Sequence, residues 1–199
     1  MVAICIYPLE NTGHTRSSIK KLDFKCTDSK EEELYPELVK YIKQLAWKNN
    51  EIGGIARTFV ACPEDDRKKI LGYYTSSMSL IELKNLPDEV QESLPGYPVP
   101  ALLIGKFAVD KLAQKQGIGK QLLKHAFETA LEVSQKVGVF AVRVDAKDEQ
   151  AKQYYLKKGF LSLEDKALGL YIPISTLKAA KAEQEAKQAS EINLSLLSN

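Results

Sequence analysis

The residues best suited to chemistry lie in the segment Gln114-Lys115-Gln116-Gly117-Ile118-Gly119-Lys120. Two glycines permit unusual dihedrals and close backbone approach, and a helix starting there presents unpaired N–H groups and its positive dipole end. An anion fits such a place. Between Ala101 and Phe127 five lysines, Lys106, Lys111, Lys115, Lys120 and Lys124, stand against one acid, Asp110, a field suited to a phosphorylated cofactor. A Walker A loop needs Gly at 114 and Ser or Thr after Lys120, where the chain has Gln114 and Gln121, so that reading fails. A dinucleotide fingerprint needs a third small residue where Leu122 stands and glycines placed directly after the strand; NAD is disfavoured, although Asp145 at the end of the next predicted strand keeps it open.

Other reactive side chains form no comparable group. Cys5, Cys26 and Cys62 are odd in number, widely spaced and without a CxxC pair, which indicates neither a disulfide framework nor a zinc site. His14 and His125 have no partner at recognisable spacing, and Trp47 reads as core.

Several elements must hold the glycine segment in place. Residues 1–28 show no clean period and read as irregular. Ser29 and Glu32 form a capping-box pattern ahead of Leu34, Leu38, Tyr41, Ile42 and Leu45, the stripe of one buried helix ending near Asn49 and Asn50. Residues 57–61 and 70–83 read as an antiparallel hairpin. A proline-rich connection, with a short helix around 89–94, leads to a central strand over 101–109. A helix over 117–136 and a strand over 139–144 follow, suggesting a βαβ unit. A second helix over 148–158 stops at Gly159, a natural C′ residue, before short strands at 160–163 and 168–172.

A chain of 199 residues with 44% hydrophobic and 27% charged residues is an ordinary globular protein, not a collagenous, disordered or disulfide-stapled one. Its net charge of +2 is too small to imply nucleic-acid binding from bulk electrostatics, so any basic partner site must be local. The apolar start at Val2–Tyr7 lacks a basic leader, and no run approaches a membrane span, so a cytoplasmic protein without membrane attachment is expected. From Thr176 the composition turns to Ala, Lys, Glu and Gln, and residues 176–199 are expected to form a polar, flexible tail behind a single domain over residues 1–175.

Gln114-x-x-Gly117-x-Gly119, preceded by Phe107-Ala108-Val109-Asp110, resembles the acetyl-CoA diphosphate loop of the GNAT N-acetyltransferases. Ala151-Lys152-Gln153-Tyr154-Tyr155-Leu156-Lys157-Lys158-Gly159-Phe160 is similar to the A-x-x-F-Y-x-x-x-G-F segment of the same family. Arg57-Thr58-Phe59-Val60, Leu71-Gly72-Tyr73-Tyr74 and Gly105-Lys106-Phe107-Ala108-Val109-Asp110 resemble its toxin branch, found in type II toxin–antitoxin modules, over roughly Pro8 to Pro173. The chain departs from that branch at Lys25-Cys26-Thr27, where an Asp-Cys-Gly-like segment is expected, and at Lys106, where Arg is common.

The resemblance implies a mixed α/β (α+β) GNAT fold, a central, partly antiparallel sheet flanked by helices with a cofactor wedge near Val109 and Val144. It implies acetyl-CoA as cofactor, held by Phe107, Ala108, Val109, Gln114, Lys115, Gln116, Gly117, Ile118, Gly119, Lys120 and Ala151. The strand at 107–109 is expected to pair with the pantetheine amides, and Tyr155 to be the general acid for the departing thiolate. It implies aminoacyl-tRNA as acceptor, a ribbon-helix-helix antitoxin as partner and a homodimer. The alternatives are a GNAT enzyme acting on a protein or small-molecule amine, and a non-catalytic acetyl-CoA-binding module. A lysine amine of pKa ~10.4 is only about 0.1% neutral near pH ~7.4, whereas an α-amine of pKa ~7.7 is about a third neutral. With no acid standing out as a base, an α-amine acceptor is favoured.

Overall fold

In the computed structural model, residues 3–26, 35–52 and 54–197 are described. The elements run β1 (Ile4–Pro8), α1 (Arg16–Ile19), α2 (Pro36–Lys40), a π-helical turn (Tyr41–Leu45), α3 (Ala46–Glu51), β2 (Arg57–Pro63) and β3 (Gly72–Ile81). They continue with α4 (Asp88–Gln91), β4 (Val99–Val109), α5 (Ile118–Ser134), β5 (Ala141–Asp145), α6 (Glu149–Leu156), β6 (Leu161–Ser162), β7 (Gly169–Pro173) and α7 (Ile174–Leu197). The chain divides into two discontinuous units, Met1–Ser79 with Leu102–Glu128, and Leu80–Ala101 with Thr129–Asn199.

In the first unit the strands lie in the order β1-β2-β3-β4. The hairpin predicted from 57–61 and 70–83 is present, with Arg57 opposite Ser76 and Ala61 opposite Gly72. The opening residues are not irregular throughout: β1 pairs antiparallel with β2, from Ile4 opposite Pro63 to Pro8 opposite Phe59. All five β1 residues are half-buried, so the strand carries none of the alternation by which a period of two is recognised. The Ser29–Glu32 capping pattern lies outside the described residues. The helix that follows begins with Pro36 at its first turn and passes through the π-helical turn. Tyr73 centres the core: Tyr41 stacks on it at 6.1 Å, Phe24 tilts against it at 5.7 Å, and its hydroxyl donates to the Leu38 carbonyl at 2.7 Å. A buried phenol needs such an acceptor.

In the second unit β5, β7 and β6 follow one another with antiparallel pairing, Val142 opposite Ile172 and Leu161 opposite Tyr171. Ile81, Leu86, Val99, Ala101, Ala141, Leu163 and Tyr171 form its core. Pro100 is tolerated in β4 because it is used through its carbonyl, which accepts the Phe140 N–H at 2.8 Å. The polar segment from residue 176 is helical to Leu197 as part of α7. Ile174 and Leu177 are buried, while residues 178–191 are exposed. Alanine propensity and the pairs Lys181–Glu185 and Glu183–Lys187 support that exposed stretch.

Candidate functional site

The glycine segment joins β4 to α5 in the first unit. Asp110 ends the strand and caps the 3-10 turn Lys111–Ala113 by accepting the Leu112 N–H at 3.0 Å. Its other carboxylate oxygen accepts the Lys25 N–H at 3.0 Å, and Lys111 N–H returns to the Lys25 carbonyl at 2.7 Å. Gln114 donates its Nε2 to the Cys26 carbonyl at 2.6 Å and to the Val109 carbonyl at 3.2 Å. Lys25 and Cys26 thus act here through main-chain atoms, so these contacts do not depend on which side chains stand at those two positions. Gln114 braces the loop from within, a task the sequence did not separate from ligand contact.

Beyond Gln114 the backbone turns left-handed twice, at Lys115 (φ 60°) and Gly117 (φ 84°). Left-handed residues set among ordinary ones aim successive amides into a concavity, the geometry of an anion nest. A Cβ on Gly117 would meet nothing within 4 Å, so glycine is required there by dihedral and not by crowding. Lys115, Gln116, Gly117 and Lys120 are exposed, whereas Ile118 is buried and anchors the helix start. The N–H groups of the first turn have no partner within their own helix. Lys115, Gln116, Ile118 and Gln121 also line a cavity of about 770 Å³, together with Lys69, Asp65 and Asp66. Exposed amides, a helix N-terminus and lysines suit a diphosphate group.

Close packing sets the loop's height. A Cβ on Gly72 of β3 would stand 2.9 Å from the Ala108 carbonyl oxygen and 3.0 Å from Leu122 Cδ1. Only glycine lets β3 pass this close to the end of β4 and the first turns of α5. Higher on α5, His125 Nδ1 lies 2.8 Å from the Tyr74 hydroxyl, with Phe59 stacked on Tyr74 at 5.1 Å. His125 therefore belongs to an aromatic cluster. His14 bridges Ser18 and the Lys68 carbonyl.

Ala151 and Tyr155 lie on α6, in the second unit. Asp148 caps that helix by accepting the Ala151 N–H at 2.8 Å, so the Ala151 amide is taken up by the cap and its small side chain is half-buried. At the other end, Phe160 N–H donates to the Tyr155 carbonyl at 3.2 Å and Gly159 N–H to the Leu156 carbonyl at 3.0 Å. These are the two bonds of a Schellman motif, with Gly159 left-handed at φ 87°. Tyr155 is buried between Tyr154 and Phe160, at centroid distances of 5.4 and 5.3 Å. Burial, with the Tyr154 phenol adding to it, pushes its own phenol well above the ordinary tyrosine value, so it keeps its proton throughout the neutral range.

The profile of the acetyltransferase (GNAT) domain matches residues 45–161, more than half of the chain. The chain belongs to the GNAT acetyltransferase family. It is an acetyl-CoA-dependent N-acetyltransferase with the GNAT fold, as the glycine loop and the α6 segment led us to expect. Among characterised GNAT proteins it is similar to a tRNA-acetylating toxin of Mycobacterium tuberculosis, at 29% identity over 125 residues, covering 63% of this chain and 72% of that one. Among solved structures it resembles a Tyr-to-Phe variant of KacT, with a TM-score of 0.77 and 27% identity over 89% of this chain and 98% of that one. It shares its fold with AtaT complexed with acetyl-methionyl-tRNAfMet, at a TM-score of 0.69 and 24% identity over 89% and 99% of the two chains. Among the described residues no helix is long and apolar enough to cross a membrane, and no group of three or more His, Cys, Asp or Glu could hold a metal ion.

Proposed function

We propose that this GNAT enzyme acetylates the α-amino group of aminoacyl-tRNA and so blocks translation, as the toxin of a toxin–antitoxin pair in the cytoplasm. The observation that carries this reading is the similarity to the Mycobacterium tuberculosis tRNA-acetylating toxin, which spans 72% of that protein. The site's chemistry agrees. No described Asp, Glu or His is among the buried residues. An aminoacyl α-amine, about a third neutral near pH ~7.4, needs less help from a base than a lysine does.

Acetyl-CoA supplies an acetyl group activated as a thioester. The amides from Lys115 to Gly119, with Lys115 and Lys120, hold its diphosphate; Gln114 braces that loop, Gln116 lines it, and Ile118 seats the helix beneath it. Phe107 and Val109 offer main-chain hydrogen bonds to the pantetheine arm, beside the small side chain of Ala108. Ala151 supplies a small surface on α6. Tyr155 holds a proton at its phenolic oxygen for the thiolate that departs. A ribbon-helix-helix antitoxin and a homodimeric assembly complete the proposal, both resting on the resemblance to the toxin branch.

The test is transfer from radiolabelled acetyl-CoA to a panel of aminoacyl-tRNAs, free polyamines and lysine peptides, alongside growth on induced expression. Label on the aminoacyl group together with growth arrest is expected. Harmless overexpression with label on polyamines or lysine peptides would overturn the tRNA reading, and tight acetyl-CoA binding without turnover on any amine would make the chain a binding module.

A further inference from the structure

We infer that Thr75 is a positioning residue for cofactor binding: its hydroxyl fixes the orientation of the β4 main chain that presents Phe107 and Val109. The inference rests on the reading that β4 holds the pantetheine arm. Thr75 lies on β3 and is 3% exposed. Its Oγ1 accepts the Lys106 N–H at 2.8 Å, so a side-chain oxygen receives a main-chain donor of β4. A Cβ on Gly105 would stand 3.1 Å from that same oxygen, and glycine there gives the hydroxyl its room.

Along a strand, main-chain groups of successive residues point to opposite edges. Four residues on, the Asp110 N–H donates at 2.8 Å to the carbonyl of Leu71, the residue just before β3. Lys106 and Asp110 share a parity and both donate toward β3, so Phe107 and Val109 direct their main-chain groups to the other edge. The Val109 carbonyl is held in turn by Gln114. The short stretch between is pinned at both ends, and at one end the pin is a hydroxyl that a substitution can remove without touching the backbone. The neighbouring strand supplies a control. Thr58 sits opposite Thr75 on β2 and is fully buried, and its Oγ1 has no hydrogen-bond partner among the described residues. Its hydroxyl positions nothing.

The experiment compares Thr75→Val, Thr75→Ser and Thr58→Val by calorimetric titration with acetyl-CoA, with melting temperature as the measure of folding. Loss of one hydrogen bond predicts that Thr75→Val weakens acetyl-CoA binding about 3- to 10-fold. Thr75→Ser should recover most of the affinity, and Thr58→Val should bind as the parent chain does. Should Thr75→Val fail to fold, Thr75→Ala takes its place. A Thr75→Val protein with parental affinity, or a Thr58→Val protein weakened as much as Thr75→Val, overturns the inference. Gly117→Glu, measured in parallel, separates this failure from failure of the site itself: parental affinity in that variant means acetyl-CoA is not held by the glycine loop at all.

Discussion

Phe160 secures Tyr155 twice, through its N–H on the Tyr155 carbonyl at 3.2 Å and through its ring, edge-on to the tyrosine at 5.3 Å. Gly159 makes both contacts possible by reversing the chain at φ 87°. The spacing Tyr-x-x-x-Gly-Phe is therefore the shortest way to end a helix and wall in the tyrosine near its end with one aromatic side chain.

Tyr155→Phe keeps that packing and removes only the hydroxyl. Acetyl transfer is expected to fall by about 10²- to 10⁴-fold, the usual worth of a positioned acid, with acetyl-CoA affinity within about 2-fold of the parent. Toxicity on expression should disappear with it. In the parent, transfer to aminoacyl-tRNA should rise as pH passes through ~7.7 and then level, because the amine deprotonates while the phenol does not. A Tyr155→Phe enzyme with undiminished turnover would remove the residue from the mechanism.

Alkaline pH should weaken the fold. Unfolded, tyrosine phenols and cysteine thiols release protons near ~10 and ~8.5. Folded, burial pushes the Tyr73, Tyr154 and Tyr155 phenols upward and the Cys62 thiol to about 12. Above those unfolded values the folded chain binds more protons than the unfolded one, so stability falls as pH rises. The contribution of these groups is complete below pH ~8 and is lost progressively from pH ~9 upward. Melting temperatures between pH ~8 and ~10.5 should decline in the parent and less steeply in Tyr155→Phe; equal slopes would contradict the burial-driven shift.

Two glycines beside the site should respond differently to alanine. At Gly72 the new methyl meets a backbone oxygen at 2.9 Å, and overpacking of this kind costs about 1–3 kcal/mol of stability. At Gly117 the methyl meets nothing, and the cost is the left-handed backbone alone, about 1–2 kcal/mol, with acetyl-CoA affinity lowered if the loop relaxes out of that conformation. Denaturant midpoints and calorimetric affinities for the two variants distinguish a packing defect from a misshapen anion loop.

Gln114→Glu would set a carboxylate against the Cys26 and Val109 carbonyl oxygens in place of an N–H donor. Weakened acetyl-CoA binding is expected, although the side chain's two amide bonds are to protein, and Gln114→Leu should do less harm because it removes the bonds without adding repulsion. Titration of both variants checks the order; parental affinity in both would show that the brace is dispensable.

Much of this site was legible because its parts are local. A glycine-rich turn before an amphipathic helix and a glycine closing a helix three residues after its last apolar position leave periodic marks, and both stand where the spacing put them. Gly72 and Thr75 left none. They serve the site through β4, some thirty residues along the chain, and a contact made across strands has no spacing to read. β1 escaped for another reason, since five half-buried residues at a sheet's edge look like a loop to any test of alternation. The two jobs of the Asp110 carboxylate, a local cap and a tie to Lys25, were likewise split between what sequence shows and what only folding brings together.

The tether from Gln114 to the Cys26 carbonyl spans 88 residues, and with the Lys25 and Asp110 bonds it stitches the opening segment to the back of the glycine loop. Trimming the N-terminus through Cys26, by protease or by initiation at a later codon, would take away these bonds together with β1 and Phe24, so the glycine loop would lose its tether and the first unit part of its core. A shortened product of this gene would keep its glycine fingerprint and lose the frame that shapes it.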